Sequence, residues 1–392
     1  MSVAEGGARV SRTIWSLHFV LVLIASHLFF IGYYSLFVTL PRYLEGQSAT
    51  AIGFVVGVFG VSSFVMRLWV GGLGDVFGRR LLALFGLTGA AISFGLYAVG
   101  PVPALLAPVR LLHGLAQVAS ATALVTLTGD LAPPARRAES IGYGFFAADS
   151  PALYAPLLAL ALAGVVGFGW QFVLMGLLSF AGALAVLPIP SGRPAVGTRR
   201  LPAPFRIARS ALLPMAGFFG TTAGLGVVQA FLTVHVDRGH LGDPQVFFVA
   251  FGLAMIPAGP LAGRLGAAVG HRVVLVVSVL LGALAMLLAA VPVAGLGLAL
   301  VGVLFGCGFA GAFTAAMTLA YESASDAERG LAIATTGLAF DLGFWVPLLL
   351  GPLADAAGTG MVFAVTAAIA ALCVLPVALP FRVWQREERR AA

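Results

Sequence analysis

Along most of the chain, apolar residues run for about twenty positions at a stretch and then yield to short polar segments. Such runs match the roughly 20 residues that a helix needs to cross a hydrocarbon core ~30 Å thick. By hydropathy they fall near 14–40, 50–70, 81–100, 103–128, 140–163 and 169–188, and again near 211–234, 245–265, 273–292, 296–320, 330–353 and 361–380. The pattern predicts an all-α polytopic membrane protein with twelve transmembrane helices, six in residues 1–189 and six in residues 210–392. Residues 190–209 between them carry Arg193, Arg199, Arg200, Arg206 and Arg209 without an acid, and read as an arginine-rich cytoplasmic linker.

Composition agrees: 60% of the 392 residues are apolar and 9% are charged, outside the range of soluble globular chains. The net charge of +7 comes with 22 arginines and no lysine, a bias that accompanies the abundance of Ala, Gly, Pro and Val. This basicity tracks topology, not nucleic acid. All but Arg42, Arg110 and Arg238 lie at the chain ends, in the even-to-odd loops or in the linker, if Arg67 is assigned to the inner end of the second span. Positive charge is retained on the cytoplasmic side, so both termini are expected there, in a cell (inner) membrane. Arg9 and Arg12 precede an apolar run that continues from Ile14 to Leu40 without a small-residue cleavage pattern, which reads as an uncleaved first helix. Cys307 and Cys373 sit in apolar runs and suggest neither a disulfide framework nor a metal cluster.

The two halves repeat. At an offset of 192 residues, Gly71, Leu73, Gly74, Gly78 and Arg80 map onto Gly263, Leu265, Gly266, Gly270 and Arg272, and Asp130, Arg137 and Asp149 onto Glu322, Arg329 and Asp341. Parallel repeats of this kind imply two bundles about a pseudo-twofold axis along the membrane normal.

The segment Gly71-Gly72-Leu73-Gly74-Asp75-Val76-Phe77-Gly78-Arg79-Arg80, between the second and third spans, resembles the signature loop of the major facilitator superfamily, with Val76 and Ala83 departing from its usual residues. Arg110 with Gly114 is similar to the fourth-helix motif of its proton-coupled members, with His113 in place of the usual glutamine. Asp149 to Pro156 more weakly resembles the fifth-helix motif of its antiporters, since Ala155, Ala159 and Leu160 replace glycines. The resemblance covers essentially the whole chain and implies alternating access by two rocking bundles. It implies a secondary active transporter, driven by a proton gradient, that exports a small amphiphilic compound as the drug/proton antiporters do. Uptake of a metabolite by the same machinery is the alternative. No cofactor, metal or nucleic acid is expected, and the partners are a small-molecule substrate, protons and the bilayer, with the chain a monomer.

An ionisable residue inside a span marks function by default, because it costs at least ~2.5 kcal/mol on insertion scales. Asp149 and Asp341 stand twelve residues after Arg137 and Arg329, or roughly 18 Å along a helix, and with Arg110 they are the candidates for proton coupling. Asp341 is the stronger candidate, being flanked by Phe340, Phe344 and Trp345, and the division of roles between the acids stays open. So does a direct Arg110–Asp149 pair, since the two differ by some 10 Å in depth at ~1.5 Å per residue. His27, Phe30, Tyr33, Tyr34, His113, Gln117, Gln229, Phe340, Phe344 and Trp345 are expected to line a substrate cavity. A cytoplasmic gate is expected from Gly71, Asp75, Gly78, Arg79, Arg80, Asp130 and Arg137 with Arg272, Glu322 and Arg329. Gly306 to Gly311 fits the dinucleotide pattern but follows no strand, and reads as small residues for close helix contact. A nucleophile–base set, which a membrane enzyme would need, is not evident.

Overall fold

A computed structural model describes residues 14–190, 206–325 and 328–378. Most of the expected linker, with Arg193, Arg199 and Arg200, lies outside the described residues, as do Arg9, Arg12 and the arginines beyond Pro380. All regular structure among the described residues is helical. Twelve spans are numbered here in chain order: α1 Leu17–Tyr43, α2 Ala49–Phe77, α3 Arg79–Tyr97 and α4 Pro103–Asp130. α5 comprises Arg137–Asp149, a 3-10 turn Ser150–Leu153 and residues 155–166; α6 is 168–186. α7 comprises Leu212–Val227, a π turn Val228–Leu232 and Thr233–Arg238. α8 is Gln245–Val269, α9 His271–Ala289 and α10 Leu296–Glu322; α11 comprises Arg329–Gly343 and Trp345–Ala357, and α12 is Thr359–Ala378.

Local signals set the ends. Ser16 and Ser48 accept hydrogen bonds from the backbone N–H of Phe19 and Ala51, capping α1 and α2, and Pro103 opens α4 where no helical N–H bond is needed. Four junctions turn on glycines with positive φ and extended ψ, a region closed to side chains: Gly78 (88°, 143°) and Gly270 (94°, 135°), then Gly167 (80°, 160°) and Gly358 (84°, 159°). The first two are 192 residues apart and the second two 191, so the repeat seen in the sequence is also a repeat of backbone conformation.

Packing follows the same symmetry. In the first half α2 and α3 pack on α4, α3 on α6, and α1 on α5 and α6; in the second, α8 and α9 pack on α10, α9 on α12, and α7 on α11 and α12. The halves meet where α2 faces α11, α5 faces α8 and α1 faces α7. In α10, Gly302 and Gly306 lie against the Phe247 and Phe251 carbonyls of α8, and Gly308 and Gly311 against Ser278 of α9, so the dinucleotide-like string is a helix-packing surface.

The α2–α11 seam is built on Gly53, Gly57 and Gly60. A Cβ at these positions would lie 2.2 Å from the Pro347 carbonyl oxygen, 2.5 Å from Leu348 Cβ and 2.7 Å from the Asp341 carbonyl oxygen, respectively. The seam begins at the membrane face remote from the signature loop, termed here the opposite face, where polar contacts also cross between halves. Arg42 Nε and Nη2 donate to Asp237 at 2.8 Å each, and Arg238 donates to the Gln47 carbonyl at 3.1 Å. Asp355 accepts from the N–H groups of Ala49 and Thr50 at 2.7 and 2.9 Å and from the Thr50 hydroxyl at 2.5 Å, capping α2 from the other half. Gly57→Leu is expected either to strain this seam by about 1–3 kcal/mol or to open it. Thermal unfolding together with spin-label distances between positions 45 and 356 will show which, and wild-type values of both would remove the seam from the account.

Candidate functional site

The acids Asp149 and Asp341 occupy equivalent places, and each helix breaks just beyond its acid. After Asp149 comes a 3-10 turn containing Pro151, with Pro156 further on; after Asp341 the helix ends at Gly343 and restarts at Trp345, ahead of Pro347. Proline has no N–H to give to the carbonyl four residues before it. Pro151 thus frees the Ala147 carbonyl, and His27 Nδ1 of α1 sits 3.0 Å from that oxygen. Nδ1 therefore carries hydrogen and donates, leaving Nε2 to accept from the Tyr154 hydroxyl at 2.6 Å. Discontinuous helices of this kind mark ion and substrate sites in secondary transporters.

The environments of the two acids differ. Asp149 accepts a hydrogen bond from the Tyr34 hydroxyl at 3.2 Å, and among the described residues it forms no ion pair. Asp341, 1% exposed, is held from the other half by Arg67 through two N–H groups, Nε and Nη2. Gly337, one turn earlier on α11, leaves room for the guanidinium: a Cβ there would lie 3.4 Å from Nη1. The assignment of Arg67 to the loop side of the second span is thereby corrected. Ten residues separate it from Phe77, ~15 Å along the helix, and depth in the bilayer requires a counter-charge that a loop arginine does not.

Arg110 is 1% exposed and lies inside the first half. Its Nε and Nη2 donate to the Val55 and Val56 carbonyls of α2, both at 3.2 Å, its Nη1 reaches the Tyr97 hydroxyl at 3.4 Å, and its guanidinium stacks 4.4 Å above the Phe59 ring. These partners take the place of the Asp149 pair left open from the sequence. Gly114, one turn on, abuts the Phe59 carbonyl and lets α4 approach α2. His113 is fully buried against Phe94 and Tyr97, with Nδ1 2.9 Å from the Tyr97 hydroxyl and Nε2 without a hydrogen-bond partner among the described residues.

Around the acids, Phe30, Tyr33, Tyr34 and Phe37 form one cluster of edge-on and tilted rings on α1. Phe59 joins Tyr33 to Phe344, which contacts Phe340, while Trp345 meets Phe64 of α2. Tyr33 lies within electrostatic range of Arg110, Asp341, Asp149 and Arg67, and its hydroxyl is buried without a hydrogen-bond partner among the described residues. The side-chain oxygens of Gln117 and Gln229 and the Trp345 ring N–H are likewise buried and unbonded.

At the signature-loop face each half makes contacts of its own, while Phe145 of α5 meets Phe313 of α10 across the halves deeper on that side. Arg79 pairs with Asp130, Arg80 donates to the Leu187 carbonyl, Arg272 donates to the Val377 carbonyl and Arg329 stacks over Tyr321. Val70, Gly71, Gly74, Asp75 and Arg79 line a cleft of about 140 Å³ with Leu82, Thr122 and Thr126. Gly78 makes the α2–α3 turn, and Arg137 is exposed beside an Arg136–Glu139 pair. The repeat also relates Arg79 to His271, which lies 3.8 Å from Glu322, so the second half carries an imidazole where the first has an arginine. Among the described residues, Arg67–Asp341 and Arg42–Asp237 are salt bridges that join the halves, the first near the middle of the spans and the second at the opposite face.

The sequence matches the family model of the Major Facilitator Superfamily over residues 22–247 and 240–392. It is 26% identical over 180 residues to the quinolone resistance protein NorA of Staphylococcus aureus; the match covers 45% of this chain and 43% of the relative, less than half the length of either. Among solved structures, the nucleoside transporter NupG superimposes with a TM-score of 0.71 at 16% identity, over 92% of this chain and 98% of that one. A POT family transporter in complex with a thioalcohol conjugated peptide gives 0.75 at 12% identity, over 92% and 95%. At these identities the structural likeness concerns the fold. Two pseudo-symmetric six-helix bundles, the signature loop and the family match together make the chain a member of the major facilitator superfamily and a multi-pass membrane protein.

Proposed function

We propose that the protein is a proton-coupled exporter of a small amphiphilic compound, acting as a monomer with its arginine-rich face toward the cytoplasm. The observation that carries this reading is Asp149, a carboxylate at a helix break whose hydrogen-bond partner is a tyrosine hydroxyl and not a cation. Such a group is open to exchange between a proton and a polar or cationic part of a ligand, and the ring cluster of α1 beside it suits the ligand's apolar part. The partial relationship to a quinolone resistance protein supports export over uptake. Residues 1–189 and 210–392 are the rocking bodies in this reading, and 190–209 tethers them. The contacts at the opposite face then correspond to closure on the outside, with substrate entering from the cytoplasm.

Asp149 takes over from Asp341 as the first site of exchange, because Asp341 is already neutralised by Arg67. Arg110 acts as a positioning residue: by holding two carbonyls of α2 it fixes Phe59 between Tyr33 and Phe344.

A screen for compounds that raise the melting temperature of the purified protein identifies the ligand, since binding stabilises in proportion to affinity and concentration. In proteoliposomes, an opposing proton gradient is then expected to drive that compound out through the face opposite the signature loop; accumulation along with protons would establish uptake instead. Asp149→Asn is expected to abolish gradient-driven transport while ligand binding survives, because the amide keeps the shape of the protonated acid. Transport at wild-type rate in both Asp149→Asn and Asp341→Asn would end the proton-coupling proposal. Arg110→Lys is expected to lower stability by about 1–3 kcal/mol in thermal unfolding, since one ammonium does not reproduce the fork that reaches Val55, Val56 and Tyr97. Full stability and full coupled transport in that variant would reduce Arg110 to a charge anchor.

A further inference from the structure

Arg67 and Asp341 belong to different halves, and their contact lies at the inner end of the glycine seam that starts at Gly53. The pair does not survive separation of α2 from α11. We propose that it is the lock of the unloaded carrier: when neither proton nor substrate occupies the Asp341 carboxylate, Arg67 takes it and keeps the opposite face shut. This rests on reading Asp341 as a proton-coupling acid and gives Arg67 a positioning role that its sequence context conceals.

Three observations support the lock. The partners differ in exposure, the Arg67 side chain being 22% exposed and that of Asp341 1%. Once released, the longer and more exposed guanidinium can turn away on its flexible stem, whereas a bare carboxylate at Asp341 would be a charge stranded in a low-dielectric interior. The pair therefore opens when the carboxylate is neutralised, by a proton from water or by a cationic group of the ligand. In the proton case the carboxylate becomes the neutral acid and Arg67 keeps its charge against solvent; loss of that proton to the arginine-rich side re-forms the pair. Second, the lock is absent from the other half: Asp149 forms no ion pair among the described residues, and the repeat position of Arg67 is Gly259. One acid is free for exchange and the other is guarded. Third, the site is shaped for the guanidinium, with two N–H contacts to one carboxylate and bare Gly337 beneath. Tyr33 on α1 lies within electrostatic range of both partners, and the other charged groups around that ring are Arg110 on α4 and Asp149 on α5; α7 presents Thr222, bonded to the Ala339 carbonyl.

Such a lock prevents leakage. An exchanger whose unoccupied, deprotonated form could reopen outward would pick up a proton there, return, and dissipate the gradient without moving substrate.

The test needs no substrate. Full-length protein with Cys307 and Cys373 replaced by Ser is spin-labelled at positions 45 and 356, on opposite halves at the opposite face, and inter-label distances are measured in nanodiscs. The same variants are reconstituted into pyranine-loaded liposomes under a valinomycin-clamped potential to record proton entry. Arg67→Gln is expected to shift the distances to longer values and to raise proton entry by roughly tenfold or more, as loss of one buried pair shifts a two-state population. Arg67→Gln with Asp341→Asn leaves no unpaired buried charge, so it controls for misfolding. It is expected to keep the longer distances, and to lose the leak once Asp149→Asn removes the first site of exchange as well. Wild-type distances and wild-type proton entry in both variants would overturn the lock. Longer distances without a leak would uphold it and overturn the reading of Asp341 as a proton carrier instead.

Discussion

Hydrocarbon does not tolerate a lone charge, and that constraint organises the centre of this protein. Asp341, Asp149 and Arg110 satisfy it in three different ways. Asp341 takes a full counter-charge from the opposite bundle, Asp149 takes a tyrosine hydroxyl, and Arg110 distributes its charge over two backbone carbonyls, a phenol oxygen and an aromatic face. The three solutions differ in how readily they are undone. Backbone carbonyls of one's own bundle move with the arginine and hold it through any rocking motion. A partner in the other bundle is lost when the bundles part. A hydroxyl yields to any stronger ligand, and that graded reversibility is what separates scaffold from moving part.

The pseudo-twofold symmetry is close in the backbone and loose in the chemistry. Glycine turns, helix breaks and helix neighbours recur across the halves. The charged side chains diverge: Arg67 against Gly259, Arg110 against Gly302, Arg79 against His271. Duplicated frames supply two equivalent lips, and the unlike side chains make those lips chemically distinct.

Much of the frame was legible from the chain. Hydropathy, the 192-residue offset and the signature loop led to twelve helices in two bundles, because span length and the need for close glycine contacts are imposed residue by residue. The fifth span is interrupted, which hydropathy does not register, although Pro151 announces it. What stayed hidden depends on contacts between residues far apart in the chain. Arg67 looked like one more arginine near a loop, and only its pairing with a residue 274 positions later gives it a role. Asp355 likewise caps a helix more than 300 positions earlier. The link from Pro151 through the Ala147 carbonyl to His27 was half visible, since the freed carbonyl follows from proline chemistry while the histidine that finds it does not. The three rings around His113, from Phe59, Phe94 and Tyr97, were hidden in the same way, since they come from two other helices.

The offset between halves drops from 192 at Gly78 and Gly270 to 191 at Gly167 and Gly358, so one residue was lost or gained between the acids and the outer turns. In an unbroken helix such a change swings everything beyond it through about 100°, the angle per residue of a 3.6-residue turn. Both α5 and α11 are broken within that interval, and a break uncouples the rotation of the two pieces. Interrupted helices thus give a duplicated transporter room to drift: the outer third of one repeat can change length and rotate, as in the segment that brings Asp355 onto α2, while the acid below it keeps its depth and its facing. The interruption beside each acid thus works as an expansion joint between the inner and outer parts of its helix.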